Sequence, residues 1–351
     1  MSPIELTLMV VFVLGTMTFL TLTFLPAWQE WRHPSDEAAL PVPAHDSNQV
    51  SHFANSWRKQ RGGDGLNTPS VDTSNELQLQ HMFDVHDVQA WNHIDAPVVA
   101  TKTVVLATPV ECLRPVHAAV DFRAVGGSTF SSIMSSGWIK LGPLSRVTEW
   151  AHGDKGLRLG GFSIGLRRLS SDGTIELAKG CCFERMHAPA VQFGRTPARS
   201  ERPVPPAGPP SEFSELPGME HRGGHLYRVN GNCTVPENRH YVGSLIVTGI
   251  LTIGAFTRIE GDVKARQGIR LGFHAEVLGS VICEDTIHFL AGSSANGPVT
   301  SETNVLLDHG VQVGHEHGPT SISAPTIIAE SGAVAHGTVW AREAGVVWGL
   351  A

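Results

Sequence analysis

The chain has 351 residues, of which 41% are hydrophobic and 17% charged, and its formal net charge is -7. An acidic chain whose largest basic cluster is Arg58-Lys59-Gln60-Arg61 cannot neutralise a run of phosphates, so a general nucleic-acid binder is excluded. With 37 Gly, 22 Pro and only 7% aromatic residues the composition also argues against a helical bundle.

Five cysteines (Cys112, Cys181, Cys182, Cys233, Cys283) form an odd set without a C-x-x-C pair. They indicate neither a disulfide framework nor a structural metal, and reduced thiols in the cytoplasm are the plain reading. Cofactors and metals are accordingly expected to be absent.

Residues 1–28 predict a membrane anchor. From Ile4 to Trp28 the chain is apolar apart from Glu5, long enough to cross a bilayer as a helix. No basic residue precedes the span, while Arg32, Arg58, Lys59 and Arg61 follow it, so the positive-inside rule puts the bulk of the chain in the cytoplasm, anchored to the inner membrane. Residues 29–97 are polar and broken by Pro34, Pro41, Pro43 and Pro69, which predicts a flexible tether with one short helix around Asn75–Phe83.

Residues 98–193 form a first repeat block. Rows of eighteen beginning at Ser136, Asp154 and Asp172 place Ile139/Leu141, Leu157/Leu159 and Ile175/Leu177 in the same two columns. Residues 194–229, with Pro197, Pro203, Pro205, Pro206, Pro209, Pro210 and Pro217, read as a loop or linker that leaves the repeat. The stretch RPVPPAGPP within it is able to adopt polyproline II.

Residues 230–351 form a second, more regular block. Rows from Thr248, Arg266, Glu284 and Glu302 align without a gap: Leu251, Ile269, Ile287 and Val305 share one column, and Ile253, Leu271, Phe289 and Leu307 another. A four-residue slip is expected at Thr320–Ser323, after which Ile327, Ala335 and Val339 resume the phase.

The period has a physical meaning. Inward residues come in pairs two apart, as on a strand with one buried face, and the pairs recur every six residues, three to a row. Three short strands joined by corners make one coil, and stacked coils pair each strand with its copies above and below. That is a parallel β-helix, an all-β solenoid behind one transmembrane helix. Gly254, Gly261, Gly272, Gly279, Gly297 and Gly337 are expected to supply corner conformations.

The rows Ile253-Gly-Ala-Phe-Thr-Arg-Ile-Glu-Gly-Asp-Val263, Leu271-Gly-Phe-His-Ala-Glu-Val-Leu-Gly-Ser-Val281 and Ser331-Gly-Ala-Val-Ala-His-Gly-Thr-Val339 resemble the bactofilins, polymer-forming bacterial cytoskeletal proteins. The resemblance covers residues 230–348 well and 136–193 moderately. It implies a β-helix that polymerises end to end without nucleotide, attaches to membrane through its N-terminus and scaffolds cell-shape or envelope-synthesis factors. The full apolar span, the extra repeat block and the Pro-rich interruption depart from the family pattern.

The last coil of a β-helix exposes unpaired backbone groups and an apolar cross-section. Because the chain stops at VVWGLA, Val346, Val347, Trp348 and Leu350 are the candidate residues for an end-to-end homopolymer contact, the alternative being that Trp348 folds back to close its own core. The rival with the same architecture is a membrane-tethered hexapeptide acyltransferase, which needs a general-base histidine. His309, His315 and His317 are the cluster that would serve it, or that would bind a metal. Asp262, Asp285 and Asp308 lie singly near corners and read as solvated. The expectation is a scaffold rather than an enzyme.

Overall fold

The computed structural model describes residues 3–32, 77–78, 91, 97–194 and 210–349. It divides into Met1–Asp46 and Ser47–Ala351, taken separately below.

In the first unit α1 runs from Pro3 to Arg32. Its segment Leu8–Leu25 has a mean hydropathy of 2.3, long and apolar enough to cross a membrane. The hydroxyls of Thr16 and Thr18 donate to the carbonyls of Phe12 and Leu14, both at 2.8 Å, and Thr21 and Thr23 back-bond in the same way. Four polar side chains therefore leave the outside of the helix apolar.

The second unit is a parallel β-solenoid of about 13 turns at the expected 18-residue spacing. The predicted columns are ladders of register partners: Leu251 pairs with Ile269, then Ile287, Val305 and Ile327. In the first block Phe122, Ile139, Leu157 and Ile175 do the same. The alternation dictates the outcome, since every second residue of each short strand enters the core and Leu251, Ile269, Ile287 and Val305 are buried.

The corner glycines act differently from the expectation. Among Gly254, Gly261, Gly272, Gly279, Gly297 and Gly337, only Gly337 has a positive φ. The others are needed because backbones of successive coils approach closely; a Cβ on Gly261 would lie 2.1 Å from the Gly243 carbonyl oxygen. The left-handed corner position is instead a column of its own, Asn238, Phe256, His274, Gly292 and Gly310, all with φ between 54° and 72°. Strain of about 1–3 kcal/mol at each non-Gly member is partly offset at Phe256 and His274, whose rings stack 5.2 Å apart.

The phase slip lies earlier than Thr320–Ser323. Thr320–Glu330 is continuous strand, and the additional residues form a tight turn at His315–Gly318, closed by a backbone bridge. Two further boundaries shift. Leu77–Gln78, expected in a short helix, is a strand paired with Val98–Val99. Within 194–229, Ser211–Glu212, Met219–His221 and Leu226–Val229 are strands of the second stack, and Phe213 is buried between Tyr241, 4.7 Å away, and Tyr227 at 5.6 Å. The polyproline stretch and most of the tether lie outside the described residues.

The two stacks join tail to tail. Cys182–Phe193, the last strand of the first stack, pairs antiparallel with Val334–Trp348, the last strand of the second. Each strand is also paired in parallel with its own stack, so the joint lies inside one continuous sheet.

Candidate functional site

The joint occupies the edge that the sequence presents as open. Gly180 N–H donates to the Val347 carbonyl at 2.8 Å, and Val347 N–H donates to that of Cys181 at 2.9 Å. At the other end Gly332 N–H donates to the Phe193 carbonyl and Phe193 N–H to that of Ala333. Val347 is fully buried and Val346 is the register partner of Cys182, so two of the four candidate contact residues are spent within the chain. Trp348 stays 65% exposed, and Leu350 lies outside the described residues. The expectation of an uncovered edge is thereby corrected: a terminal β-coil finds its lowest-energy cover in another backbone, and the first stack supplies it. Gly345 permits the close fit, since a Cβ there would fall 2.1 Å from the Phe183 ring.

Beside the joint the sheet bulges. Register shifts between Phe130/Ser132, Gly165/Arg168 and Phe183/Arg185 recur at one place on successive coils, and they open a cavity of about 520 Å³. Its lining column reads Ser132, Trp150, Arg168, Arg185 and Trp340, each the register partner of the next. Two arginines on adjacent rungs are thus bracketed by two tryptophans, with the Arg185 guanidinium 4.9 Å from the Trp340 ring centre.

The carboxylates of the groove serve other groups. Glu149 lies 3.4 Å from Arg167, and Glu184 accepts the Arg167 backbone N–H at 3.0 Å, holding that residue at φ 57°. Arg342 lies 3.5 Å from Glu302. Among the described residues no carboxylate comes within ion-pairing distance of Arg185, and its buried Nε has no hydrogen-bond partner. Burial, and then the neighbouring Arg168, lower the pKa of the Arg185 guanidinium from its ordinary value.

A polar column runs next to the groove. His152 pairs through Nδ1 with the Ser170 hydroxyl at 2.8 Å, and His187 through Nδ1 with the Thr338 hydroxyl at 2.9 Å across the joint. His152 Nε2 faces Asp154 at 3.3 Å and Asp172 at 3.8 Å. One ligand atom from each of these three residues lies within 4.8 Å of the others, a spacing that suits a divalent cation as well as an ion-paired imidazole. Burial holds the His187 imidazole below its ordinary value, Arg185 adding to this and Asp172 opposing it.

The predicted histidines do not converge. His309 belongs to the corner after Asn304–Leu307, where its N–H donates to Glu330 at 2.9 Å and its ring meets the Ser331 carbonyl. His315 and His317 lie in the next corner, exposed in the tight turn. The three aspartates are coil-to-coil clamps rather than solvated singletons. Asp262 accepts both Ser280 N–H and its hydroxyl at 2.7 Å, Asp285 accepts the Thr303 hydroxyl at 3.1 Å, and Asp308 meets His288 at 2.9 Å. All five thiols are free, and burial raises that of Cys181 to about 11, so it stays protonated at neutral pH.

Two signals for the groove are present in the sequence. Trp150 and Arg168 stand eighteen apart, and Arg185 follows after seventeen, one short of the period. A missing residue in an otherwise constant row marks a bulge. The matching Trp340 is 155 residues beyond Arg185 and carries no periodic relation to it.

Comparison with protein-family models, with curated proteins and with solved structures finds no match to this chain.

Proposed function

We propose that the chain is a membrane-anchored, self-associating β-helical scaffold of the bactofilin kind, organising cell-shape or envelope-synthesis factors at the cytoplasmic face of the inner membrane, without nucleotide and without catalysis. The observation that carries this reading is the antiparallel ladder between Cys182–Phe193 and Val334–Trp348. A β-helix polymer needs a way to join coil ends by backbone bonds over a continuous apolar core, and this chain makes such a joint within itself. The joint leaves Trp348, 65% exposed, at its edge, and this apolar side chain is the contact through which copies with closed joints associate. An apolar N-terminal helix long enough to span a bilayer supports a membrane site for that assembly.

The test is negative-stain electron microscopy of the full-length protein in detergent, without nucleotide, beside Trp348→Glu. Trp348 is the exposed member of the predicted contact set, so the variant leaves the buried joint intact. Extended assemblies in the wild type that shorten or vanish in the variant are expected. Discrete single-chain particles in both samples would overturn the scaffold reading.

A further inference from the structure

Just past the bulge, one corner of two successive coils gathers a nitrogen and two carboxylates. Strand Arg146–Gly153 carries His152 near its end and the turn after it carries Asp154, while Asp172 follows strand Ile164–Ser171 at the same corner of the next coil. The two turns meet through backbone, since a Cβ on Gly173 would run into the Lys155 carbonyl. The Ser171 hydroxyl braces them further, donating to the Gly153 carbonyl at 2.7 Å and accepting the Gly173 N–H at 3.0 Å. Asp154 and Asp172 are therefore held on a fixed frame.

The distances point to a shared ligand rather than to a direct bond. His152 is fully buried and its Nδ1 pairs with the Ser170 hydroxyl at 2.8 Å, which sets the ring with Nε2 toward the carboxylates. Nε2 lies 3.3 Å from Asp154 Oδ1 and 3.8 Å from Asp172 Oδ1. A charge-assisted hydrogen bond is shorter, about 2.7–2.9 Å. Donor atoms around a tetrahedral zinc ion, with bonds of about 2.0–2.2 Å, are separated by about 3.3–3.6 Å. The Asp154 and Asp172 side chains are 31% and 57% exposed, so an ion reaches the set from the carboxylate side, with the imidazole as its inner wall.

We propose that His152 Nε2, Asp154 and Asp172 bind a divalent transition-metal ion of the zinc class, with water completing the coordination. An imidazole nitrogen selects such an ion over Mg²⁺ or Ca²⁺, which take oxygen donors. Two carboxylates match its charge, and each has a second oxygen for its other contacts. The ion ties two adjacent coils of the first stack together, one rung from the joint strand Cys182–Phe193. The assignment does not rest on the scaffold reading, because all three ligands come from one stack of one chain.

The test is calorimetric titration of the untagged full-length protein, stripped with chelator in uncharged detergent, with Zn²⁺ and separately with Mg²⁺. One tight Zn²⁺ site per chain is expected, with Mg²⁺ at least tenfold weaker. Asp154→Asn and Asp172→Asn, both near-isosteric, should each weaken Zn²⁺ at least tenfold, while His315→Gln in the tight turn leaves it unchanged. Melting curves without metal keep the result interpretable: the exposed Asp172→Asn is expected to melt close to wild type, and saturating Zn²⁺ to raise the Tm of the wild type alone. The absorption spectrum of the Co²⁺ form reports the donor class, since ligation by any of the five free cysteines would add a thiolate charge-transfer band. Failure to take up Zn²⁺ would leave a plain ion-paired imidazole and overturn the proposal. Uptake that persists in both aspartate variants, or that carries a thiolate band, would overturn it equally.

Discussion

Two pairs of charged residues, one in each stack, contrast a regular ladder with a bulged one. In the second stack Arg258 and Glu276 are ion-paired on adjacent rungs of a regular ladder whose strands are two to four residues long as far as Gln312–Val313. In the first stack Arg168 and Arg185 stack like on like, at the place where strands of 7, 8, 8 and 12 residues carry bulges. The regular ladder needs only to repeat its buried column, and one opposite-charge pair fits on its outer face. The bulged ladder opens a concave, positively charged surface. The comparison teaches that a solenoid acquires a site where its period fails.

The contrast can be broken most severely in the regular stack. Phe289 is fully buried in a column between its register partners Leu271 and Leu307. Phe289→Ala should therefore cost about 3–5 kcal/mol, read by chemical denaturation. Phe162, 62% exposed and held at φ 58°, lies on a corner of the first stack, and Phe162→Gly is expected to leave stability unchanged or raise it.

The joint is the next most sensitive place. Gly345→Val drives a side chain into the Phe183 ring, a loss of about 1–3 kcal/mol from overpacking. Because the strain falls on one ladder, partial unfolding should begin there, seen as early proteolysis between residues 194 and 210 while the second stack stays protected.

A smaller effect depends on pH. His187 is held below its ordinary value by burial, so the unfolded chain binds its proton more readily than the native chain. The joint keeps its full stability above the ordinary imidazole range, near pH 6.5, and loses part of it as pH falls toward the lowered native value. His187→Gln should flatten this dependence in melting curves between about pH 5 and 7. The smallest change is expected from Glu276→Gln, which weakens a partly exposed ion pair worth about 0.2–1 kcal/mol and should barely move the melting temperature.

The regular stack was legible because its physics is periodic: burial at Leu251, Ile269, Ile287 and Val305 repeats in sequence as it does in space. The slip leaves little trace in the sequence because His315–Gly318 turns back on itself in a few polar residues, without an apolar mark, while Thr320–Ser323 looks irregular only by composition. The joint was invisible for a different reason. Cys182–Phe193 and Val334–Trp348 already show inward alternation, which one parallel neighbour suffices to explain. Backbone pairing on the opposite edge adds no new requirement on residue type except at Gly345. The groove follows from both failures, since it needs the bulges and the joint together.

The tail-to-tail joint is the central claim, and one cross-link tests it most directly. Val346 is the antiparallel register partner of Cys182, and Cα atoms so paired lie about 4.5–5.5 Å apart, within reach of a disulfide. Full-length Val346→Cys, oxidised mildly and mapped by mass spectrometry, should link Cys182 to the new thiol at position 346, and the link should be lost when Cys182→Ser is added. An oxidised protein in which position 346 remains reduced, or is joined to cysteines far from Cys182, would contradict the joint and the account built on it.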